Sequence, residues 1–160
     1  MPRIEHSLAI DAPIERVFDL ARSIDAHALG QAARGERVVA GRESGLIEMG
    51  ESVTWEARHL GVRQRLESRI TAMDRPHHFR DVMVRGAFAR FDHDHHFERR
   101  DGLTWMRDVF DYTAPLGPLG RLADALFLEA YMTRFVEERA AHLKALAEGE
   151  DWRALLPKGD

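Results

Sequence analysis

From Ser52 to Ala114 polar and apolar residues alternate, and turn-forming pairs cut the alternation into strand-sized lengths. Ser52–Leu60 sets Val53, Trp55, Ala57 and His59 on one face. Val62–Met73 sets Val62, Leu66 and Ile70 on one face, with Gln64 and Ser68 between them; Arg63, Arg65, Glu67 and Arg69 share the other. A turn at "MDRPHH" leads to His78–Arg85 and then Ala87–Arg99. Asp101-Gly102 is a hairpin signal that opens the last strand, Leu103–Ala114. Strands adjacent in sequence usually pair, so this run predicts an antiparallel sheet with one apolar face that something must cover.

The cover is visible further on. After "PLGPLG", one helical pattern runs from Pro118 to Glu148, and Gly149 is its natural stop. Its apolar stripe comprises Leu119, Leu122, Leu126 and Phe127, then Phe135, Val136, Leu143 and Leu146. At 1.5 Å per residue the helix is about 45 Å long. Ahead of the sheet, Arg3–Ile10 reads as a strand, and "DAPIERVFDLARSID" opens one or two short helices over Pro13–Ala32 behind a capping Asp11 and Pro13. Arg37–Ala40 is a short strand in a glycine-rich crossing. The expected architecture is α+β: a curved antiparallel sheet of about six or seven strands wrapped around a long C-terminal helix, with two short helices closing one end. Residues 1–149 form a single domain, and 150–160 are a loosely attached tail.

Composition narrows the function classes. With 27 acidic against 23 basic residues the net charge is −4, which leaves no footprint for nucleic acid. There is no cysteine, so disulfides, thiolate chemistry and Cys-based zinc sites are excluded. No apolar run is long enough for a membrane-spanning helix, and the N-terminus does not read as a signal peptide. A cytoplasmic protein, monomeric or weakly dimeric, is expected. Glycines in "GERVVAG" and "GPLG" lack the form of a phosphate loop and are explained by turns.

The segment Ala89–Arg99, "ARFDHDHHFER", carries the most chemistry. Alternation places Phe91, His93, His95 and Phe97 on one face, and Arg90, Asp92, Asp94, His96 and Glu98 on the other. The charged set belongs in water, so His93 and His95 point inward. In the next strand Thr104, Met106, Asp108, Phe110 and Tyr112 form the more apolar set, which makes Asp108 an internal carboxylate. One turn geometry sets it opposite His95 and another opposite His93; either way an acid meets an imidazole indoors. A buried carboxylate needs such a partner. Phe79, Asp81 and Met83 also share a face taken as internal, although Val82 and Val84 lie opposite. His77-His78 follows Pro76 in a turn and is expected to be solvated.

Several stretches resemble members of the START-like superfamily (SRPBCC), which includes polyketide cyclases/dehydratases, pollen-allergen-type ligand carriers and lipid-transfer domains. "DAPIERVFDLARSID" resembles the common start of their first helix. "DRPHHFRD", "FDHDHHFE" and "PLGPLGRLADALFLEAYMTRFVEERAAHLKAL" resemble a bacterial subgroup. The resemblance covers about residues 3–148. It implies the helix-grip fold and an internal cavity, but no particular catalytic residue, because reactive groups differ between subgroups.

The expected function is binding of a small, largely hydrophobic ligand between sheet and helix. Trp55 and His59 would line the cavity from one strand, and Phe91, His93 and His95 from another. Met106, Asp108, Phe110 and Tyr112 would join them from the last strand, and Phe127 and Tyr131 from the helix. An alternative is a cyclase/dehydratase-like enzyme with His93 or His95 as acid/base and Asp108 holding its tautomer. A third is an interaction module with a filled interior and no ligand. No cofactor is implied. No metal is expected either: His93-x-His95 stands without a motif such as H-E-x-x-H, and the adjacent His95 and His96 point apart.

Overall fold

The alternation is realised as a single seven-stranded antiparallel sheet. The structure is a computed structural model and describes residues 2–158. The strands are β1 (Arg3–Ile10), β2 (Arg37–Gly41), β3 (Ser52–His59), β4 (Val62–Asp74), β5 (His78–Arg85), β6 (Arg90–Arg100) and β7 (Leu103–Thr113). Their order is β1-β7-β6-β5-β4-β3-β2, so the first strand closes against the last. Register shifts between Val38 and Ala40, Glu67 and Ser68, and Ile70 and Ala72 bend the sheet. Asp101 and Gly102 both take positive φ, 54° and 77°, the geometry of the tight hairpin turn their sequence announces.

The inward faces follow the alternation closely. Phe91, His93, His95 and Phe97 of β6 are all buried, as are Thr104, Met106, Asp108, Phe110 and Tyr112 of β7. β6 begins at Arg90 rather than Ala87, because Gly86–Ala89 is a bend. A Cβ at Gly86 would come within 2.7 Å of Leu66 Cδ1, so a larger residue there would push the Leu66 and Met83 side chains aside.

Two short helices, α1 (Ile14–Ala21) and α2 (Ile24–Gly30), close one end. Ile14, Val17, Phe18 and Leu20 bury the inner side of α1, and the Phe18 ring meets Phe79 and Phe97 edge-on at 5.4 and 5.3 Å. The Ser23 side chain accepts the Ala26 N–H at 3.1 Å, capping α2 and fixing the break between the helices.

The C-terminal helix departs from expectation. Instead of one helix from Pro118 there is α3 (Gly117–Ala123), a π-type turn over Asp124–Leu128, and α4 (Glu129–Glu148). Met132, Val136, Ala140, Leu143, Leu146 and Ala147 of α4 lie buried over the sheet. Leu119, Leu122, Leu126 and Phe127, expected on the same stripe, are exposed at 67, 57, 72 and 48%. The π-type turn holds an extra residue, which rotates everything before it by about 100° relative to α4. The stripe therefore loses phase, and its first half faces away from the core. The turn is held by Asp124, which is buried and accepts the Tyr112 hydroxyl at 2.5 Å. Gly120 allows α3 to start there, since a Cβ would fall on the Pro115 carbonyl.

The tail is better attached than expected. Trp152, Leu155 and Leu156 pack on the main core, and the Arg16 guanidinium lies 3.9 Å from the Trp152 ring. Its last two positions, 159 and 160, lie outside the described residues.

Candidate functional site

Between the sheet and α4 lies a cavity of about 360 Å³. Of the residues expected in its wall, Trp55, His59, Phe91, His93, Phe110 and Tyr131 line it. Met106, His95 and Asp108 instead line a smaller adjoining space of about 30 Å³ behind His93. Two expected wall residues are elsewhere. Tyr112 is fully buried and spends its hydroxyl on Asp124. Phe127 is turned out by the change of helical phase. The wall also includes His27, Glu36, Asp81, Phe88 and Arg139, none of which was singled out as a site residue from sequence.

The floor is a four-residue polar cluster. Strand pairing puts His95 opposite Asp108, and Asp81 of β5 opposite His93. Asp108 Oδ1 lies 3.0 Å from His93 Nε2 and 2.8 Å from His95 Nδ1, so it meets both imidazoles, and of the two alternative registers the one that sets it opposite His95 is realised. Asp81 Oδ1 is 3.0 Å from His95 Nε2 and 3.8 Å from His93 Nδ1. The two imidazole centroids are 3.9 Å apart, and the His95 ring stacks on Phe79 at 4.2 Å.

Burial sets the charges. It would raise the Asp108 carboxyl, but hydrogen bonds from His93 and His95 outweigh it and hold the group ionised far below the usual carboxylate range. Asp81 follows the same logic: burial raises it, and the His95 hydrogen bond and both imidazoles bring it below its ordinary value. Burial would lower His95, yet its two carboxylate partners raise it overall. His93 is lowered by burial, and further by the charge of His95. The two imidazoles are thus pushed in opposite directions, His95 up and His93 down, between two carboxylates held below their ordinary range.

A second pair lines the wall above. His27 of α2 hydrogen-bonds Glu36, and its ring sits 4.2 Å from Trp55. Burial, and then the charge of Arg139, lower His27; the His27 hydrogen bond brings Glu36 below its usual value against the effect of burial. Near the opposite rim His59 Nδ1 and the Tyr131 hydroxyl hydrogen-bond at 2.8 Å, tying β3 to α4. Arg139 is half-buried, lines both spaces, and has no hydrogen-bond or ion-pair partner among the described residues.

On the outer face His78 is half-buried rather than solvated. It hydrogen-bonds Asp94 at 2.7 Å and stacks on His96 at 4.8 Å.

The family model for polyketide cyclase / dehydrase and lipid transport matches residues 1–148. The chain belongs to this family. In fold it is similar to TTHA0849 from Thermus thermophilus, with 22% identity and a TM-score of 0.73 over 89% of this chain and 94% of that one. It is also similar to a START superfamily protein from Mycobacterium smegmatis, with 10% identity and a TM-score of 0.68 over 91% and 97% of the two chains. The dimeric Aha1 of Colwellia psychrerythraea aligns with a TM-score of 0.63 at 14% identity, over 92% of this chain and 97% of that one. No curated protein matches the chain. These likenesses establish the helix-grip fold of START-like proteins. Among the described residues no helix is long and apolar enough to cross a membrane.

Proposed function

We propose that this protein binds a small, largely hydrophobic molecule in the cavity between sheet and α4, with its apolar body against Trp55, Phe91 and Phe110. The observation that carries the reading is the cavity itself: about 360 Å³, walled by aromatic and aliphatic side chains, with a few polar groups gathered at one end. A packed core has no use for that space, and the open interior speaks against a ligand-free interaction module. The polar end of the guest meets His93, Asp81 and Arg139, where the unpartnered guanidinium is a ready donor.

The catalytic alternative narrows to one residue. Both His95 ring nitrogens are occupied, by Asp108 and Asp81, so His95 has none left for a substrate. His93 lies on the cavity wall and has Asp108 behind it to fix its tautomer.

Ala57 lines the cavity, and a tryptophan there would occupy it. Organic extraction and native mass spectrometry of freshly purified protein are expected to reveal a bound apolar compound in near-stoichiometric amount. Ala57→Trp should fold and lose it. A wild-type protein that yields no compound and binds no apolar fluorophore would end the proposal.

A further inference from the structure

The floor cluster has a feature that ligand binding does not require. One carboxylate oxygen, Asp108 Oδ1, lies within hydrogen-bond distance of His93 Nε2 and His95 Nδ1, at 3.0 and 2.8 Å, and so engages one nitrogen of each ring. The opposite nitrogens, His93 Nδ1 and His95 Nε2, both face Asp81 Oδ1, at 3.8 and 3.0 Å. Two imidazole nitrogens and one carboxylate oxygen, from neighbouring strands, thus converge within 4.8 Å of one another. For a tetrahedral ion with bonds of about 2.0–2.2 Å, neighbouring donor atoms stand about 3.3 Å apart. The observed separations bracket that value. A carboxylate holding the far nitrogen of each imidazole is also the arrangement that orients histidines toward a metal.

We propose that Asp81, His93 and His95 form a site for a divalent first-row transition ion, with Asp108 as the outer carboxylate that orients both imidazoles. The ion sits beside the contact between His95 Nε2 and Asp81 Oδ1, and any hydrogen on that nitrogen leaves to solvent as a proton. Asp81 and His93 line the main cavity, so the fourth coordination position opens toward it. Arg139 brings a positive charge to the same wall, and Glu36, Asp81 and Asp108 set three carboxylates against it. The outer cluster of His78, Asp94 and His96 offers a similar donor set. There Arg80 already grips both Asp94 oxygens, at 2.9 and 2.7 Å, and leaves a cation little to bind. The inference goes beyond ligand binding and stands even if the cavity proves to hold no organic guest.

The test uses tag-free, full-length protein stripped with a chelator and then titrated with Zn²⁺ and with Co²⁺. One equivalent of Co²⁺ is expected to bind, with the visible absorption of a four-coordinate ion. In wild-type long-range ¹H–¹⁵N spectra, Zn²⁺ should shift the imidazole nitrogens of His93 and His95 and leave those of His78 and His96 in place. Asp81→Asn and His95→Gln should abolish binding, Asp108→Asn should weaken it by about 10–100-fold, and His78→Gln should leave it unchanged. The wild-type spectra decide the matter even if a floor variant fails to fold. Absence of a bound ion, or shifts confined to His78 and His96, would overturn the proposal.

Discussion

Strand β6 carries histidine–aspartate chemistry on both of its faces, and the two faces use it differently. Outside, Asp94 is gripped by Arg80 and hydrogen-bonded to His78. Burial raises its carboxyl, but Arg80 and then His78 hold it down at about 2. Its side chain keeps 13% exposure, so water remains an alternative partner. Inside, Asp108 has no arginine; its charge is matched by imidazoles alone, at 7% exposure. The same residue types make an ordinary surface ion pair on one side. On the other they make a network in which every charge depends on its neighbours. Burial and the identity of the cation, rather than residue type, separate a solvated pair from a candidate site.

Breaking one member of each cluster should show this most plainly. Asp108→Asn leaves buried His95 with Asp81 as its one remaining carboxylate and takes the charged acceptor from both imidazoles, and is expected to cost about 3 kcal/mol in urea denaturation at neutral pH. Asp94→Asn, measured in the same way, should cost about 1 kcal/mol or less. Equal losses would mean that the two faces do not differ as described. Tyr112→Phe strands the buried Asp124 at the π-type turn, and a loss of about 1–3 kcal/mol is expected.

The pH dependence sharpens the contrast further. Folded His93 and His27 titrate below their unfolded value of about 6.5. Their contribution is present above that pH and is lost as pH falls through the folded values. Asp81 and Asp108, lowered from 3.8, add a loss on further acidification below that value. His95 is raised, so its contribution is present below about 6.5 and is lost as pH rises through its folded value. Thermal melts should therefore fall away on both sides of neutrality, and His95→Gln should remove the alkaline limb while keeping the acid one. The smallest effect is expected for His78→Gln, which should change stability by about 0.5 kcal/mol or less.

Much of this was legible in the sequence because strand alternation is a strict two-state code. The facing of Phe91, His93, His95 and Phe97 followed from counting alone, and the five buried positions of β7 likewise. The helical code is softer. A stripe from Leu119 to Leu146 assumes a constant residue count per turn, and one π-type turn at Asp124–Leu128 spoiled it for Leu119, Leu122, Leu126 and Phe127. Only Asp124 hinted at the break: a carboxylate in an apolar stretch, with Tyr112 too far away in sequence to be paired with it by inspection. Asp81 went unassigned for a related reason. Its face was legible, but its meeting with His95 depends on the register between β5 and β6, which are joined by the bend at Gly86–Ala89. Arg139 and Glu36 reach the cavity by tertiary packing, and no local pattern marks them.

The sheet order carries a consequence for how the chain is made. Ile4 pairs with Phe110, about a hundred residues later, and nothing else in the sheet flanks β1. β1 therefore has no neighbour in the sheet until β7 has emerged from the ribosome. Such distant pairing slows folding, because a long loop must be closed before any contact rewards it. The nascent chain must carry β1 unpaired while the residues up to β7 are made, and a break in synthesis before residue 103 would leave that strand's edges exposed to other chains.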